Sequence, residues 1–114
     1  MRPDQAAKKG TPMTITNLQE ALPMPESQRA NLPLIDVEHG VKVVLVALPG
    51  GVKIAPHKAP YVAAAQLLTG RIEVLKGETW IPMLPGDRVV FDKDQPHALT
   101  GIESSYVLVT HLRS

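Results

Sequence analysis

A chain of 114 residues and 12.4 kDa has room for one compact domain and none for a second core. Its 44% hydrophobic and 20% charged residues exclude a chain disordered throughout, and twelve Lys+Arg against eleven Asp+Glu leave a net charge of +1, with no basic face for nucleic acid. Aromatic residues, at 4%, are too few for an RNA-stacking sheet, and the absence of cysteine removes disulfides, thiolate zinc sites and a Cys nucleophile. No apolar run approaches the roughly 18 residues of a membrane span. Met1-Arg-Pro-Asp-Gln5 lacks the apolar core of a secretory signal. The expectation is a soluble, cytoplasmic protein with neither a membrane nor a nucleic-acid partner.

Along the chain, Pro3, Pro12, Pro23, Pro25 and Pro33 fall in the first third, whereas every glycine but Gly10 lies at or beyond Gly40. Residues 1 to about 12 read as a tail. An edge strand is expected near 13–17, and Asn17-Leu-Gln-Glu20 can cap a helical turn that Pro23 and Pro25 then stop. From Leu32 onward, β-rich runs alternate with Gly-bearing turns roughly every eight to twelve residues. Strands are expected near 32–37, 41–48, 52–57, 61–69, 71–75, 78–84, 88–92, 97–100 and 105–111. Arg71-Ile-Glu-Val-Leu75 alternates as a half-exposed strand should. Val41–Leu48 is nearly continuous, so both its faces should be covered, and burial between two chains would do that. A helix over Val62–Leu68 has alanine propensity behind it but lacks length between Pro60 and Gly70. The division is a mostly irregular leader over 1–31, with its candidate edge strand, and a β domain over 32–114.

The most specific pattern is a spacing. Five residues separate Gly51 from His57, Ala59 and Ala63 follow at fixed offsets, and six more lead to Gly70. Fifteen residues later comes Pro85-Gly86-Asp87, and then Pro96-His97. This resembles the cupin superfamily, and in particular its small single-domain members of unestablished function. Gly51, His57 and Gly70 match the first cupin motif, while Ala59 and Ala63 stand where its second His and its Glu belong. Gly86 and His97 match the second motif, while Asp92, Asp94 and Gly101 replace its Pro, Gly and Asn. The resemblance covers residues from about 32 to 111. It implies an all-β double-stranded β-helix, the cupin jelly-roll barrel, and a homodimer. It also implies that two of four metal ligands are missing.

His57, Ala59 and Ala63 lie at even separations, so on one uninterrupted strand they would share a face. A catalytic mononuclear centre needs about three protein ligands and an open position. His57 and His97 supply two, and Gln66, His111 and Asp92 are the residues a metal could recruit. Two alanines in ligand positions also remove volume, which Ile81, Met83 and Leu99 are expected either to fill or to border as a pocket beside His57, Ala59, Ala63 and His97. No phosphate loop, His-Glu-x-x-His or nucleophile elbow is present. The expected function is binding of a small organic ligand in the barrel, with no cofactor or a weakly bound divalent metal on His57 and His97. The alternatives are a metal-dependent oxygenase or isomerase using those two histidines, and a ligand-sensing module acting through a partner protein.

Overall fold

The Asn17 side chain settles the first element of the computed structural model, which describes residues 15–113. Its Oδ1 accepts a hydrogen bond from the Glu20 N–H at 3.0 Å and caps a single helical turn, α1 (Leu18–Ala21). Pro23 and Pro25 deny the turn any continuation. Of the strand expected near 13–17, residues 13 and 14 lie outside the described residues, and 15–17 form no strand because Asn17 is committed to the cap.

Nine strands follow among the described residues: β1 (Ala30–Asp36), β2 (Val41–Leu48), β3 (Lys53–His57), β4 (Val62–Thr69), β5 (Ile72–Lys76), β6 (Thr79–Met83), β7 (Arg88–Phe91), β8 (His97–Gly101) and β9 (Ser105–Leu112). Two antiparallel sheets result, one in the order β1-β2-β9-β4-β7 and the other in the order β3-β8-β5-β6. From β2 onward the chain passes back and forth between them, which is the winding of the expected all-β double-stranded β-helix. The alanine-rich segment is strand β4, since its alternate residues Ala63, Ala65 and Leu67 are buried against the opposite sheet.

The main core lies between the sheets. Val46, Leu67 and Val107 from the larger sheet meet Ile72, Val74 and Leu99 from the smaller one. A second cluster explains why β2 reads as a nearly continuous apolar run. Leu45 and Ala47 point to the outer face, where Tyr106 joins them and Leu18, Leu22 and Met24 of the leader pack on top. The Tyr106 hydroxyl donates to the Leu22 carbonyl at 2.7 Å and fixes the leader there. Residues 44–48, expected to be covered between chains, are therefore buried on both faces within one chain.

The turn between β4 and β5 depends on close approach. Gly70 has φ +91, and a Cβ there would collide with Ser104 and Ser105. The fully buried Ser105 hydroxyl accepts from the Arg71 N–H at 3.0 Å and donates to the Glu103 carbonyl at 2.7 Å, tying the start of β9 to this turn.

Candidate functional site

β3 ends and β8 begins on a histidine, and the antiparallel register sets His57 opposite His97. Their rings meet edge to face, with centroids 4.1 Å apart and planes inclined by 65°. Each ring is held in the same way: His57 Nδ1 lies 2.9 Å from the Ala55 carbonyl oxygen, and His97 Nδ1 lies 2.9 Å from that of Gln95. A carbonyl can only accept, so in the neutral rings Nδ1 carries the hydrogen and Nε2 keeps a free lone pair. Phe91 of β7 stacks on His97 at 4.3 Å and 12°. His97 is buried and its pKa is lowered, chiefly by that burial, against the raising effect of the Gln95 carbonyl and with a further lowering from His57. It is therefore mainly neutral at pH 7.

The two histidines border a cavity of about 210 Å³ between the sheets, and Ala63 and Leu99 also line it. Three other residues expected at the pocket lie off its wall. A register shift in the β3–β8 pair sets three steps, Ile54 to His57, against two, Leu99 to His97. That bulge lets Ile54 and His57 both face the cavity at an odd separation, so the even-spacing rule fails there. β3 then stops at His57, and Ala59 lies in the connection beyond it, buried, its carbonyl accepting from the Asp94 N–H at 2.7 Å. Ala63 reaches the cavity from the opposite sheet. Met83 and Ile81 sit on β6, the far edge of the smaller sheet, whereas only β3 and β8 of that sheet border the cavity. Met83 packs in the core, and Ile81, on an unpaired edge, is 37% exposed.

No protein-family model and no curated protein matches the sequence. Solved structures do match. A conserved protein of unknown function from Streptococcus pyogenes superposes with a TM-score of 0.82 at 19% identity over 91% of this chain and 90% of that one. A cupin superfamily protein from Desulfitobacterium hafniense gives 0.82 at 18% identity over 93% and 97%. The chain has the cupin fold. KdgF from Halomonas matches less fully, with a TM-score of 0.71 at 18% identity over 75% of this chain and 81% of that one.

Within this cupin barrel the wall contains a third imidazole. His111 on β9 lies between Lys42 of β2 and Ala63 of β4, its partners in the two flanking ladders. The methyl group at position 63 thus sits between His111 on one side and Phe91 on the other, both of which line the cavity. His111 also meets Tyr61 edge to face at 5.6 Å. Its pKa is lowered, first by burial and then by Lys42, Arg113, His97 and His57. Its Nδ1 is buried and has no hydrogen-bond partner. Lys42, Asn31 and Arg29 complete the polar part of the wall, and Val44, Val46, Ala65 and Val109 supply much of the apolar part.

Sequence reasoning left the face of His111 undecided and did not reach Lys42, Arg29, Asn31 or Phe91. A signal existed in the parity of Val107, Val109 and His111 along β9. In β2, by contrast, apolar residues on both faces conceal the inward parity that Lys42 shares with Val44 and Val46. Gln66 lines a separate pocket with Val62 and Leu108 instead of the cavity, as its parity on β4 requires.

The donor set does not fit a complete metal centre. Ala63 presents a methyl group, Ala59 is off the wall, and among the described residues no three His, Asp or Glu side chains are grouped to hold an ion. What the cavity offers instead is three imidazoles and two cations facing an apolar surface.

Proposed function

We propose that the protein binds a small organic molecule inside the cupin barrel without a complete metal site. The cavity carries this reading: it joins apolar walls to a few convergent polar groups, the combination that gives small-ligand sites both affinity and orientation. Its size suits a compact ligand, because an apolar cavity of ~150 Å³ accepts benzene and this one is about 210 Å³. His57 and His97, when neutral with Nδ1–H on a backbone carbonyl, can accept hydrogen bonds at Nε2 from a hydroxyl or amide group.

The test is methyl NMR on Val46, Leu99 and Val109 during titration with a library of small ring compounds. Saturable shifts are expected at these three methyl-bearing residues and should disappear in Ala65→Phe, which fills the space. Absence of any saturable shift overturns the reading.

One observation favours a second reading, a weakly held divalent metal on His57 and His97. Histidine ligands commonly donate Nδ1–H to a backbone carbonyl and coordinate through Nε2, the arrangement found at both positions. Metal analysis of protein purified without chelator tests it, and occupancy far below one ion per chain for Mn, Fe, Ni and Zn refutes it.

A further inference from the structure

The small-ligand reading leaves the chemical class of the ligand open, and the charge distribution around the cavity narrows it. The residues lining the cavity include the cations Arg29 and Lys42 and no Asp or Glu. Arg113, close by on the chain, is engaged: it pairs with Asp36 at 2.6 Å and donates to the Gly40 and Val37 carbonyls. Asp36 is the residue opposite Lys42 in the β1–β2 ladder, and its carboxylate is taken by Arg113. Among the described residues neither Lys42 nor Arg29 has an ion-pair partner. Lys42 is also half-buried and shares the inward parity of Val44 and Val46, so its charge is turned toward the cavity.

A second observation points the same way. His111, next to Lys42 across the β2–β9 ladder, also lines the cavity and sets an imidazole beside that ammonium group. A carboxylate can accept an N–H from the part of this ring that borders the cavity while it pairs with the Lys42 ammonium group.

We infer that the cavity takes a small organic monocarboxylate, its carboxylate held between Lys42 and His111 and its apolar body on Val44, Val46, Leu99 and Val109. This inference rests on the small-ligand reading above. Benzoate has the right form, since a six-membered ring fits the volume and its single charge can pair with the Lys42 ammonium group, which forms no ion pair among the described residues. Inorganic phosphate lacks an apolar body and would leave the valine and leucine walls uncovered.

The test is calorimetric titration at pH 7 with benzoate, its neutral isostere benzamide and inorganic phosphate. Benzoate is expected to bind at least about tenfold more tightly than benzamide, as a charge-assisted contact should. Lys42→Met keeps the aliphatic stem and should abolish that preference while benzamide still binds. Nitrogen-15 NMR should show the His111 ring shifting with benzoate and not with benzamide. If benzamide binds as tightly as benzoate, or phosphate more tightly than either, the carboxylate assignment is overturned and the small-ligand reading stands. If none of the three binds and the methyl groups also fail to respond to the ring library, both fall together.

Discussion

Phe91 is where barrel stability and the histidine site share one side chain. It is 3% exposed, belongs to β7 at the edge of the larger sheet, and covers one face of His97. Phe91→Ala removes the whole ring. Phe→Ala changes in cores cost about 3–5 kcal/mol, the sum of lost transfer energy and the void left behind. Here the lower end applies, about 3 kcal/mol, because the ring borders an existing cavity that water can enter. For a domain of this size that corresponds to a fall in Tm of about 12 °C. Urea unfolding gives the free energy, and proton NMR of the His97 ring gives a second readout. Burial is the largest cause of the lowered His97 pKa, so stripping its cover should move the titration upward, toward the ordinary histidine value. A loss below about 1 kcal/mol together with an unmoved His97 titration would refute the role assigned to Phe91.

Ser105→Ala should cost about 2 kcal/mol, since it strips the Arg71 N–H of its acceptor inside a tight turn, and unchanged urea midpoints would contradict that account. His97 and His111 both have folded-state pKa values below the ordinary 6.5. The unfolded chain therefore binds the extra protons first, and stability is full above about 6.5, drops as the pH falls through the window below it, and then levels off. A urea midpoint at pH 5.5 equal to that at pH 7.5 would sink this reasoning. Ala63→Glu adds an oxygen donor to the wall shared by His57 and His97, and should raise zinc or nickel affinity, with about 2.7 kcal/mol of added stability at a metal concentration near 100 times Kd. Ala59→His, off the wall, should add nothing, and equal metal affinity in parent and both variants would show that positions 57, 63 and 97 do not surround one centre. The outer face of the larger sheet leaves Val62, Val90 and Leu112 exposed beyond the part the leader covers, so light scattering should report a dimer of the 12.4 kDa chain, and a monomer mass at micromolar concentration would refute it.

The β architecture was legible in the residues alone, because turn chemistry and strand periodicity are local. Glycines at positive φ, Gly51, Gly70, Gly77 and Gly86 among them, mark turns wherever the chain folds, and Asn17 with Glu20 writes a helix cap within four residues. His57 and His97 were equally legible, since each ends or begins a strand at a spacing the resemblance recognises. The rest depends on which strands become neighbours and where a register slips. The bulge between Ile54 and His57 reverses parity, and its one mark in the residue types, Pro56, suits an unbulged edge strand equally well. His111 becomes a cavity residue only because β9 pairs with β2 on one side and β4 on the other, bringing Lys42 and Ala63 beside it from far along the chain. The cationic, three-imidazole character of the cavity is thus a product of non-local pairing, which periodicity within one strand cannot encode.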